Sequence, residues 1–126
     1  MKIYLAGGLR DPWRETVKMS ANYLDVKYLD PNKHELNIPS QYTNLDLHMI
    51  DNCDLVFGYL EEENPGGYNT IFELGYAIGK GIPIIFINEK LNWDKYVSMV
   101  KESSLFYTDI FEEGVLFLNR YLRINR

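Results

Sequence analysis

At 126 residues, with a formal net charge of -5 and 46% hydrophobic against 25% charged residues, the chain has the size and balance of one globular domain, 1–126, built on one hydrophobic core. No apolar run approaches the roughly 18 residues of a membrane span, the start MKIYLAGG is too quickly broken by glycine for a signal peptide, and the lone Cys53 permits no internal disulfide, so the expected compartment is the cytoplasm. The lysines and arginines are scattered apart from a mildly basic ending, RYLRINR, which argues against a nucleic-acid polymer as partner but leaves room for a small nucleotide at one local anion site.

In chain order, Lys2 to Ala6 is a short apolar run stopped by Gly7-Gly8, and Asp11-Pro12 supplies an N-cap and first-turn proline for a helix reaching about Tyr23. Val26 to Leu29 reads as a second strand, followed by a polar loop that includes Pro31 and Pro39. A helix fits Tyr42 to Asn52, where Leu45, Met49 and Ile50 recur at helical spacing, and Leu55 to Leu60 is a third strand. The loop EEENPGGYN leads into a helix with Thr70 as its cap and Gly81 as its stop, and Ile82 to Ile87 is the continuous apolar run of a strand buried on both faces. The last third reads as a helix from Asp94 to Ser103, a strand from Leu105 to Tyr107 and a helix from Ile110 to Leu122.

Strand and helix alternate five times, which predicts an α/β, flavodoxin-like, doubly wound parallel sheet of five strands in the order 2-1-3-4-5, with helices on both faces. Ligands in such sheets bind beyond the carboxyl ends of the strands where the order reverses. Here that crevice falls between the first and third strands, beside the loops 7–11 and 61–70.

Gly7-Gly8 allows a close backbone approach to a ligand, with helix N–H groups facing an anion, but neither G-x-G-x-x-G nor a Walker sequence occurs. Gly79-Lys80-Gly81 falls at a helix end, where the dipole is negative, and reads as a stop with a favourable lysine. No Cys/His cluster suggests a metal, and His34 and His48 read as surface histidines. No serine sits in a G-x-S-x-G elbow. Of the ten tyrosines, Tyr4, Tyr59 and Tyr68 fall near the crevice as walls on which a planar ring can stack. Thr70-Ile71-Phe72-Glu73 has two readings. It is T-x-x-E, a capping box in which Glu73 folds back on the amide of Thr70; equally, it sets a carboxylate in the first turn of a helix beside the crevice, held ionised by the dipole as a nucleophile requires. Spacing leaves both open.

The blocks KIYLAGG, NLDLHMIDNCDLVFGYLE and NTIFELGYAIGKGIPIIFI, in that order over most of residues 2–87, resemble the nucleoside 2-deoxyribosyltransferase family and its relatives that hydrolyse deoxynucleoside 5'-monophosphates. The segment E-L-G-Y-A-x-x-x-G-x-P carries most of this resemblance. It implies Glu73 as nucleophile, Tyr4 as the group that orients its carboxylate, and Asp46 as a partner of the sugar hydroxyl or proton donor to the base. Gly7, Gly8, Arg10 and Asn69 are further candidates for substrate contact around the crevice, and the resemblance implies Ser98 reaching the 5' end of the ligand in a neighbouring subunit, hence a homodimer or higher oligomer with shared sites. Many members carry serine or aspartate six residues before the nucleophile, where this chain has Gly67.

The expected chemistry is cleavage of the N-glycosidic bond. Oxocarbenium character at C1' is stabilised and then captured by a carboxylate, a second acid protonates the departing base, and neither metal nor organic cofactor is required. The expected ligands are a nucleoside or nucleotide and a free nucleobase. The alternatives to sugar transfer are hydrolysis of nucleoside 5'-monophosphates, with Ser98 and Arg10 on the phosphate, and a non-catalytic nucleotide-binding module. A flavodoxin-like regulatory domain lacks the acidic cluster it would need.

Overall fold

The structure, a computed structural model, describes residues 1–10 and 12–125. Five parallel strands, β1 (Lys2–Gly7), β2 (Lys27–Leu29), β3 (Leu55–Leu60), β4 (Ile84–Asn88) and β5 (Phe106–Thr108), form one sheet in the order β2-β1-β3-β4-β5. The chain leaves β1 to pair β2 on one side, then crosses to place β3 on the other.

The central strands are apolar on both sides because both faces are covered. Ile3, Leu5, Leu55, Phe57 and Tyr59 pack on one face with Trp13 and Val17 of α1 (Trp13–Ser20) and with Leu118 and Leu122 of α5 (Phe111–Asn125). Tyr4, Ala6, Val56 and Leu60 point the other way, onto Ile50 of α2 (Pro39–Asp51) and onto Leu74 and Ala77 of α3 (Tyr68–Gly79). Each fully buried leucine or isoleucine contributes roughly 1.5–3 kcal/mol.

Several boundaries differ from the sequence reading. The predicted cap Asp11 lies outside the described residues; α1 begins at Trp13 and ends at Ser20, short of Tyr23. Pro39, predicted in a loop, is the first residue of α2, a position where a missing N–H costs nothing. Ile82 and Pro83 precede β4 rather than open it. The single helix expected over 94–103 is a 3₁₀ stretch, Leu91–Val97, followed by the short α4, Ser98–Glu102. Asn92, Trp93, Tyr96 and Val97 are weak helix formers, which fits the tighter turn. Gly81 does end α3, at φ 76°.

The start of α3 matters most for function. Gly67 takes φ 124° and caps the helix three residues before the predicted cap, Thr70, so Thr70 is its third residue and Glu73 its sixth. A Cβ at residue 67 would meet Leu60 Cδ1 at 2.4 Å, so a side chain there requires Leu60 to move in addition to the strained backbone. The T-x-x-E capping box therefore does not form.

Candidate active site

A cavity of about 620 Å³ opens at the carboxyl ends of β1 and β3, where the strand order reverses, and is floored by Gly7 and Gly8. Asp46 reaches it from α2, Glu73 and Asn69 from α3, and Tyr42, Leu47, Tyr68 and Phe72 supply apolar and aromatic wall. Tyr4, fully buried on β1, donates its phenolic hydrogen to Glu73 Oε2 from beneath. Residues up to 69 positions apart in the chain thus meet because Tyr4 points to the face of the sheet that α2 and α3 cover.

The electrostatics of the trio follow from burial. Desolvation pushes the Glu73 carboxyl up to about 7, and the charge of Asp46 adds to this, while the Tyr4 hydrogen bond and the charge of Arg14 pull it back. The expectation that a helix dipole holds Glu73 ionised is corrected: in the second turn the dipole has faded, and burial decides. Tyr4 is held far above the ordinary phenol range by burial and by the Glu73 charge, so it acts as a donor throughout the physiological range. Asp46 is raised by burial against the opposing hydrogen bond and charge of His34.

His34 is not the surface histidine the sequence suggested. Its Nε2 lies 2.9 Å from Asp46 Oδ1, with side-chain exposures of only 13% and 16%. The backbone N–H of Leu36 donates to its Nδ1 at 2.9 Å, so in the neutral ring the hydrogen sits on Nε2 and points at Asp46. Between them Glu35 occupies the left-handed region at φ 57°, which turns that N–H back onto the ring.

The remaining candidates divide. Gly7, Gly8 and Asn69 line the cavity, and a Cβ on Gly8 would sit 2.7 Å from Asn64 Nδ2, so the Asn64 side chain would have to move to admit one. Arg10 is exposed and does not line the cavity of its own chain. Ser98 is exposed at the start of α4 and does not line the cavity of its own chain. Tyr68 is a wall residue, but Tyr59 is not: it shares the parity of Phe57 and packs on the opposite face, its ring 5.3 Å from Trp13 and 4.8 Å from Phe111. Sequence reasoning missed His34, Asn64 and the buried Arg14, whose signal was an arginine beside Trp13 on the apolar stripe of α1.

A family model described as nucleoside 2-deoxyribosyltransferase like matches residues 1–91, a span that holds Tyr4, Asp46 and Glu73 and ends before Ser98. Curated protein sequences give no match. Among solved structures, a 2-deoxyribosyltransferase from the psychrotolerant bacterium Bacillus psychrosaccharolyticus superposes with a TM-score of 0.69 at 19% identity, over 96% of this chain and 92% of that one. A 2-desoxiribosyltransferase from Leishmania mexicana superposes with a TM-score of 0.58 at 25% identity, over 70% of this chain and 64% of that one. The first likeness is one of fold, with the β2-β1-β3-β4-β5 sheet as its frame.

Proposed function

Because the chain belongs to the nucleoside 2-deoxyribosyltransferase-like family, we propose that it cleaves the N-glycosidic bond of a 2'-deoxynucleoside through a covalent ester on Glu73 and passes the sugar to a second nucleobase. The observation that carries this reading is the convergence of Tyr4, Glu73 and Asp46 on one cavity, with Tyr4 holding Glu73 Oε2 and so leaving Oε1 for the sugar.

In this mechanism Oε1 bonds to C1' as the C1'–N bond breaks, its electron pair goes to the base nitrogen, and the proton that nitrogen needs comes from Asp46. The incoming base then attacks C1', Glu73 leaves as carboxylate, and the proton of the attacking nitrogen returns to Asp46. The raised Asp46 suits it to carry a proton, and the Nε2–H of His34 on Oδ1 directs that proton to Oδ2. A partly desolvated Glu73 is a stronger nucleophile than a hydrated carboxylate, and the developing positive charge at C1' favours its ionised form.

Transfer is preferred to nucleotide hydrolysis because the described lining residues include two carboxylates and no lysine or arginine, a poor setting for a 5'-phosphate. The walls formed by Tyr42, Tyr68 and Phe72 suit a stacked base. The same reading has Ser98 of a neighbouring copy complete the 5' end of the site in a homo-oligomer.

The test supplies a deoxynucleoside with and without a second free base and measures exchanged nucleoside against free deoxyribose. Exchange is expected to dominate at saturating base. Dominant free sugar, with a rate raised by a 5'-phosphate, would replace transfer by hydrolysis.

A further inference from the structure

We propose that Asn64, in the loop after β3, is a substrate-contacting residue that reads the sugar: its side-chain NH2 donates a hydrogen bond to a hydroxyl oxygen of the deoxyribose. The assignment rests on the proposed reaction for the class of ligand, and deepens it by naming what holds the sugar.

The amide is fixed before any ligand arrives. Its Oδ1 accepts the backbone N–H of Gly66 at 3.0 Å, and the backbone N–H of Asn64 donates to Glu61 O at 3.2 Å, so the turn holds both the side chain and its root. The Gly66 N–H needs an acceptor, which decides the oxygen end of the amide and leaves the NH2 at the other end. That NH2 stands over the cavity floor: a Cβ on Gly8 would sit 2.7 Å from Nδ2, and Gly8 and Asn64 both line the cavity. Among the described residues Nδ2 has no acceptor, and no unpaired side-chain polar atom there is buried, so the NH2 is open to a ligand. A donor already held in place loses little freedom when it binds.

The strand order says which part of the ligand meets it. With β1 between β2 and β3, the loop after β2 and the loop after β3 form opposite lips of the crevice. His34 stands on the first lip and holds Asp46 at 2.9 Å, while Asn64, Gly66 and Gly67 form the second. In the proposed reaction Asp46 serves the base and Glu73 takes C1', so the base lies toward the first lip and the furanose toward the second. What a 2'-deoxynucleoside offers there is its ring oxygen and two hydroxyls. A hydroxyl gives one hydrogen and accepts through two lone pairs. Two carboxylates line the cavity and can take that hydrogen, so a fixed donor to the oxygen is the complement the second lip supplies. The amide is neutral and the described lining holds no lysine or arginine, a setting for a hydroxyl rather than a phosphate ester.

Binding, measured apart from turnover, tests this. In Glu73→Gln protein, chosen so that the ligand stays intact, calorimetry gives the dissociation constants of 2'-deoxyadenosine, 2',3'-dideoxyadenosine and 2',5'-dideoxyadenosine with Asn64 present and with Asn64→Ala; 2'-deoxycytidine and its two analogues repeat the series. Asn64→Ala should weaken the parent deoxynucleoside about tenfold and one deoxygenated analogue equally. The other analogue, which lacks the hydroxyl that Asn64 holds, should stay within about twofold, and its identity tells the 3' hydroxyl from the 5' one. Equal losses for all three ligands would mean that Asn64 only holds its turn or touches the base, and no loss for any would mean that it touches nothing; either result overturns the assignment. If the alanine protein does not fold, Asn64→Ser, whose Oγ can still accept from Gly66 N–H but which has no NH2 to reach the floor, must give the same selective pattern. A selective loss in a protein whose wild type cleaves no deoxynucleoside would refute the proposed reaction and leave Asn64 as a sugar contact. Cleavage by the wild type with equal losses would do the reverse, and failure of every ligand to bind would overturn both.

Discussion

Replacing Glu73 by glutamine should make the protein more stable at alkaline pH and leave it nearly unchanged at acid pH. In the folded state the carboxyl titrates at about 7 against an ordinary value of 4.5, because burial and the nearby Asp46 disfavour its charged form. A raised folded-state pKa stabilises the protein fully below 4.5, where both states are protonated, and that contribution is lost as pH rises through about 7. At 1.36 kcal/mol per pH unit the interval amounts to roughly 3 kcal/mol, or a rise in Tm of roughly 10 °C for a chain of this size. Glutamine keeps an acceptor for the Tyr4 hydroxyl, so the comparison isolates the charge. Urea unfolding of both proteins from pH 4.5 to 8.5 should show the variant's advantage growing from near zero to about 3 kcal/mol. A difference that does not change with pH, or a variant less stable at pH 8.5, would refute a buried, proton-retaining Glu73. A capping-box glutamate would behave in just that flat way.

The same titrations should appear in catalysis: attack needs ionised Glu73 and departure of the base needs protonated Asp46, so log kcat/KM for deoxynucleoside cleavage should be bell-shaped in pH, falling on both the acid and the alkaline side, and a profile flat from pH 5 to 9 would contradict this. His34→Gln, whose amide N–H can still donate to Asp46, should retain most activity, whereas His34→Phe should lose about tenfold to a hundredfold; equal losses in both would mean that the ring itself relays a proton. Gly67→Ser should destabilise by roughly 1–3 kcal/mol, measured by urea unfolding, because residue 67 takes φ 124° and its Cβ would sit 2.4 Å from Leu60 Cδ1. A neutral effect would mean that the start of α3 readily shifts to the later position the sequence suggested.

Much of the frame was legible in the chain. The apolar runs at Lys2 to Ala6, Leu55 to Leu60 and Ile82 to Ile87, each parted from the next by a helical stretch, point to strands covered on both faces, and the usual order of a five-stranded doubly wound sheet is the β2-β1-β3-β4-β5 found. The crevice between the loops after β1 and β3 follows from that order alone, and it is where Gly7, Gly8, Asn69, Asp46 and Glu73 are found. Family blocks added which side chains to look for there.

Three-dimensional packing decided what local pattern could not. T-x-x-E looks like a capping box until Gly67 takes a left-handed turn, moves the helix start to Tyr68 and swings Glu73 onto Tyr4. Tyr59 lies near the crevice in sequence yet faces the opposite layer, because strand residues alternate sides and its parity is that of Phe57. His34 and Arg14 are ordinary polar residues in the chain. Only the fold buries one against Asp46 and the other under the Gly7-Gly8 turn. The sequence by itself determined the strands and helices, since these follow from the periodicity of apolar residues, and the usual order of a five-stranded sheet then pointed to the crevice; the protonation of Glu73 and the partners of Asp46 were decided by the tertiary structure, since desolvation and charge act through space between residues that the chain keeps far apart.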